Sequence, residues 1–136
     1  AGRRNQKTEQ RQNRMTDSHD INNLLAAAQQ LYDGGHYDTA RTAADRILAT
    51  LEREQRDESI EYSEAMRIFG MASYRAGDIV MADNALTFAY NIRCKAGLGD
   101  DAVTRDILLA LSEAAIMRDN PVRASRLLER LREISK

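Results

Sequence analysis

The stretch YDGGHYDTA, Tyr32 to Ala40, sets two of the chain's seven glycines side by side ahead of a Tyr-Asp-Thr-Ala run. Forty-two residues later YRAGDIVMA runs from Tyr74 to Ala82, and Gly77 and Ala82 repeat the spacing of Gly35 and Ala40. A third copy, IMRDNPVRA, ends at Ala124, forty-two residues beyond Ala82. Three copies at one period identify an internal repeat, and periods of this length mark arrays of stacked supersecondary units.

Composition sets the class of array. The chain has 136 residues, of which 43% are hydrophobic and 30% charged, with one proline and no tryptophan. Ala, Arg and Leu are the most frequent residues, which favours helices over a sheet. No apolar run approaches the ~18 residues of a membrane span, so no membrane association is expected. The single Cys94 has no intrachain partner, which points to a reducing, cytoplasmic setting. Twenty basic side chains are balanced by 21 acidic ones, leaving a formal net charge of −1. Nucleic-acid binders usually carry a clear basic excess, so this balance argues against that class.

Punctuation along the chain divides it into six helices. Residues 1–17 lack apolar periodicity, and their first fourteen hold five basic residues and one acid. They read as a disordered basic leader, an expression remnant or a basic arm. Residues 18–136 form the repeat domain, in units of about 18–56, 57–98 and 99–136. Ser18 or Asp20 caps a first helix that ends at Gly34-Gly35, and a second runs from Tyr37 to Gln55. The segment RDES caps a third helix to Ala76, and a fourth runs from Asp78 to Lys95, with Gly97 as a left-handed stop. Asp100 or Asp101 caps the fifth helix, to about Arg118. Asn120 caps the sixth, with Pro121 in its first turn. The fourth helix carries two apolar stripes, Ile79, Ala82, Leu86 and Ala89, and Met81, Ala85, Phe88 and Ile92, as expected of a helix packed on both sides.

A helix, a tight turn and a second helix opening on alanine resemble the tetratricopeptide family. Ala28, Gly70 and Ser112 match its small position in the first helix, and Ala40, Ala82 and Ala124 its alanine in the second. Leu24, Met66 and Leu108 match its large first-helix residue, faced by Ala44, Leu86 and Leu128. The repeat is eight residues longer than the usual ~34, which is similar to the long-helix variant of kinesin light chains. The implied fold is an all-α solenoid of three helix hairpins.

The resemblance implies a concave groove, lined by first helices, that holds a peptide or a partner helix. Position by position, the groove residues are Asn22, Leu25, Gln29, Tyr32, Arg67, Met71, Tyr74, Arg75, Leu109, Glu113, Ile116 and Met117, with Asp33, Glu64 and Asp106 beside them. Tyr and Met there offer contact area and adaptable fit. The family's carboxylate-gripping subgroup uses Lys, Arg and Asn. Leu25 and Gln29 stand at those positions in the first repeat, which argues against a heat-shock chaperone adaptor.

Catalysis has little support in these residues. His19 and His36 have no metal-ligand spacing to Cys or acids, Asp100-Asp101 reads as a helix cap, and GLG lacks the strand and Lys of a phosphate loop. The expectation is a non-enzymatic protein-interaction module, an adaptor or escort chaperone, without cofactor or metal. A self-stacking structural unit is the alternative, through the apolar LLAAAQQL of the first helix (Leu24 to Leu31), as a homodimer or against another array. A further alternative is a peptide-sensing domain of a larger protein.

Overall fold

The computed structural model describes residues 18–136, with side chains from Asp20 onward. The leader, Ser18 as a cap and His19 lie outside the described side chains. Among the described residues the chain is all-helical, with six helices and no strand. They are α1 (Ser18–Asp33), α2 (Tyr37–Arg53), α3 (Ile60–Arg75), α4 (Ile79–Lys95), α5 (Ala102–Met117) and α6 (Pro121–Ile134).

The 42-residue period is written into the turns. Among the described residues, those with positive φ are Gly35, Gly77 and Asp119 in one series, and Gln55 and Gly97 in the other. At each of these five sites the left-handed residue donates its N–H to the carbonyl three residues back. The next residue donates to the carbonyl five back, as His36 does to Leu31 at 2.8 Å and Leu98 to Arg93 at 2.8 Å. That pair of bonds is the Schellman motif, which satisfies carbonyls the helix end would leave orphaned. N-caps recur at the same period: Ser59 and Asp101 in one series, Asp78 and Asn120 in the other, each accepting a backbone N–H from three residues on. His36 stands one period before Asp78 and supplies no such bond.

Each helix packs on its neighbour in sequence, and α3 also touches both α1 and α5. The backbones of the second helices, α2, α4 and α6, do not approach one another closely, and α4 and α6 meet through long side chains, as where Arg123 reaches Asp83. The array is therefore tighter on the side of α1, α3 and α5, a packing consistent with a solenoid whose first helices face inward.

Small residues set the approach of helices within a hairpin. Ala28, Ala40 and Ala82 are fully buried, and Ser112 and Ala124 nearly so. A Cβ on Gly70 would lie 2.7 Å from Leu86 Cγ, so glycine is required there. Two apolar clusters result. One joins Ile21, Leu25, Ile47, Leu51, Tyr62 and Ile68, and the other joins Leu86, Ile107 and Leu111. Met66 packs against both and links them. Burying each large side chain contributes roughly 1.5–3 kcal/mol, so these clusters dominate the favourable terms.

Several expectations about packing need correction. Leu24 is exposed, unlike its repeat mates Met66 and Leu108, and Leu128 is exposed, unlike Ala44 and Leu86, because no other helix covers those faces of α1 and α6. Met81 and Phe88 of the second α4 stripe are exposed too. Two charged residues of the same helix, Asp83 and Arg93, are buried, since each is neutralised by partners on later elements. The stripe on α6 is only partly covered: Ala124 is buried, while Leu127, Leu131 and Ile134 are half-buried.

Candidate functional site

A cavity of about 560 Å³ lies on the side of α1, α3 and α5. Helical periodicity places its residues: Gln29 and Tyr32 on α1, Arg67, Met71, Tyr74 and Arg75 on α3, and Asp106, Leu109 and Glu113 on α5. Spacings of three and four put each set on one helix face. Ile107 and Ala110 complete the floor.

Eight of the twelve expected groove residues therefore meet in one cavity. Four do not. Leu25 is only 8% exposed and belongs to the first core cluster, so it presents no surface to a partner. Its repeat mates Arg67 and Leu109 do line the cavity, but on α1 the same position turns toward α2 and α3. Asn22 is exposed outside the cavity. Ile116 and Met117, at 60% and 61% exposure, lie beyond it at the end of α5.

Cross-helix polar contacts frame the apolar floor. Tyr74 donates its phenolic O–H to Glu113 Oε2 at 2.9 Å, linking α3 to α5. Arg75 Nε donates to the Tyr32 hydroxyl at 3.4 Å, linking α3 to α1. Arg67 donates to Gln29 Oε1 and makes a two-pronged contact with Glu64, at 3.0 and 3.3 Å. Gln29 in turn donates to Asp33 Oδ1 at 2.9 Å. Burial pushes the Tyr74 phenol upward in pKa, and its bond to Glu113 adds to that shift, so the phenol stays a neutral donor. The Asp106 side chain makes no hydrogen bond or ion pair among the described residues. The cavity thus combines Met71 and Leu109 with a carboxylate free to meet a ligand cation and with Arg75, held by a phenol alone.

Behind this wall lies a buried cluster that periodicity does not signal. Arg93, 4% exposed, donates from Nε to Thr104 Oγ1 at 3.0 Å and from Nη2 to Asp101, and it lies 3.8 Å from Glu64. Thr104 donates its hydroxyl to the Leu98 carbonyl and its backbone N–H to Asp101. Burial alone would raise the Asp101 carboxyl. The bonds from Thr104 and the Arg93 guanidinium outweigh it and hold the group below the usual carboxylate value. Arg93 thereby ties α3, α4 and α5 together and fixes Glu64, which in turn holds Arg67 at the groove.

Among the described residues no group of three His, Cys, Asp or Glu side chains is placed to hold a metal ion. No described helix is long and apolar enough to cross a membrane. No protein-family model matches the chain, and no curated protein matches it at a significant level.

Proposed function

We propose that the chain is a tetratricopeptide-type array whose concave groove binds a peptide or protein segment, as an adaptor or escort module without catalysis. The observation that carries this reading is the convergence of Tyr32, Met71, Tyr74, Arg75 and Leu109 from three helices on one cavity. The cross-helix bonds of Arg67, Tyr74 and Arg75 hold these side chains in place before a ligand arrives, which lowers the ordering cost of binding. Met71 and Leu109 supply apolar contact, while Asp106 and Arg75 supply polarity for orientation.

Selection of peptides from a displayed random library tests it. Peptides selected on the wild-type chain should lose binding to Met71→Asp and Tyr74→Ala, with helicity and melting nearly unchanged. Retained binding by both variants would show that the groove is not the site.

A second reading is favoured by one specific observation. Leu24 is 47% exposed on α1, and the facing stripe of α6 is incompletely covered. Helix α1 carries Asp20 and Asp33, while α6 carries four arginines and two glutamates. An acidic first helix and a basic last helix suit head-to-tail stacking of copies. Light scattering across a range of concentrations distinguishes this reading, since a mass that stays monomeric throughout excludes it.

A further inference from the structure

A second cleft, of about 430 Å³, opens where α4, the end of α5 and the start of α6 meet. It shares no lining residue with the groove. Its walls are Asp83, Asn84 and Thr87 from α4, and Arg118, Asn120 and Arg123 from the α5–α6 turn and α6. Asp83, buried on α4, sits at the base. Arg118 Nη1 donates to one of its oxygens at 2.5 Å, and Arg123 Nη2 donates to the other at 2.9 Å. Arg123 Nη2 also reaches the Thr87 hydroxyl at 2.9 Å.

Two features of this arrangement exceed what holding the helices together requires. The first is charge. One carboxylate faces two guanidinium groups, so the cleft carries a net positive charge, and both arginines remain partly open to solvent. The preceding repeat junction is balanced instead: Arg41 meets Asp78 at 3.1 Å, one cation to one anion. The second is an orphan donor. Arg123 Nε is buried and has no hydrogen-bond partner among the described residues. A buried N–H without an acceptor is costly, and a small shift of the Arg123 side chain that brought Nε to an incoming oxygen would recover that cost.

We propose that this cleft binds a phosphoryl group, with Arg118 and Arg123 contacting its oxygens and Asp83 aiming the two guanidinium planes. Each guanidinium presents five N–H donors in a fixed fork, and Asp83 engages only one nitrogen of each. The nitrogens that remain open to solvent supply the charge-assisted bonds that phosphate oxygens accept. The amides of Asn84 and Asn120 stand at the same wall. A free phosphate ion and a phosphomonoester on a larger molecule both satisfy this chemistry.

Calorimetric titration of the full chain with inorganic phosphate, and separately with phenyl phosphate, at constant ionic strength, tests the assignment. Saturable binding of either is expected, weakened about tenfold or more by Arg118→Gln or Arg123→Gln, the loss of one charge-assisted contact. Arg130→Gln, on the same helix but outside the cleft, should bind as the wild type does. Arg118 lies in an exposed turn, so its variant should keep its helicity even if Arg123→Gln does not. Tighter binding of phenyl phosphate would place the group on a larger molecule, and equal binding would favour the free ion; both support the site. Absence of saturable binding, an Arg118→Gln variant that binds unchanged, or equal weakening by Arg130→Gln would overturn it. Met71→Asp should leave the titration unaltered, which separates this site from the groove.

Discussion

Gln55 and Gly97 occupy one backbone position, a single repeat apart, with φ of 58° and 79° and the same pair of Schellman hydrogen bonds. Glycine adopts this left-handed region freely, whereas a side chain there is strained. Gln55→Gly should therefore stabilise the chain by about 0.5–1 kcal/mol, the strain relief less the entropy that glycine loses on folding. Asp119→Gly should gain less, because aspartate tolerates the left-handed region better than glutamine. Urea unfolding of the two variants ranks them directly, and equal gains would contradict this account.

Gly70 tests close packing. In a free helix Gly→Ala gains about 1 kcal/mol, but here the new methyl would meet Leu86 Cγ at 2.7 Å and Cδ2 at 2.9 Å. Overpacking of this kind costs typically about 1–3 kcal/mol, so Gly70→Ala should be net destabilising. Adding Leu86→Ala should relieve the clash, and the double-mutant cycle should show a favourable coupling between the two changes. Simple additivity would mean that the helices separate without cost.

Asp101 predicts an acid dependence. Its folded pKa lies below its ordinary value, so its contribution to stability is complete above that value. It is lost as pH falls through the lower, folded one. Asp101→Asn should flatten this part of the acid limb while keeping the amide as a cap. Asp101→Ala should cost about 3 kcal/mol at neutral pH, because it removes the cap and strips the buried Arg93 of its closest anion. Denaturant midpoints across the acid range check both expectations.

Neighbouring leucines on α1 should behave oppositely. Leu25→Glu buries an unpaired charge among Ile21, Ile47 and Leu51 and should cost more than 3 kcal/mol. Leu24→Glu lies on the exposed face and should change monomer stability by less than about 0.5 kcal/mol. If copies stack through α1, Leu24→Glu should lower the solution mass while leaving thermal unfolding of the monomer intact.

The helices and their ends were legible because turn and cap residues act locally. Gly35, Gly77, Gly97, Ser59, Asp101 and Asn120 each perform in the structure the task their chemistry suggests. Positions at the 42-residue spacing also brought eight of the twelve expected residues to one cavity. The failures came where one position meets different neighbours in different repeats. Leu25 faces a core that Arg67 and Leu109 do not, and Leu24 lacks the cover that Leu108 has. Arg93 and Asp83 were invisible for another reason. A charged residue in a helical pattern reads as solvent-facing until its partners, Asp101 in one case and Arg118 and Arg123 in the other, are brought beside it by the fold.

Helix α3 touches four of the five other helices and also forms the middle of the groove floor. A segment seated on Met71 and Tyr74 therefore rests on the element through which both ends of the chain cohere. Local opening that released such a segment would also have to disturb α1, α2, α4 and α5. Occupancy should then raise the cooperativity of the whole chain's melting and slow amide exchange far from the contact, in α2 as well as in α3. The cavity floor is in this sense also the keystone, and under the proposed function ligand recognition and global rigidity share one helix.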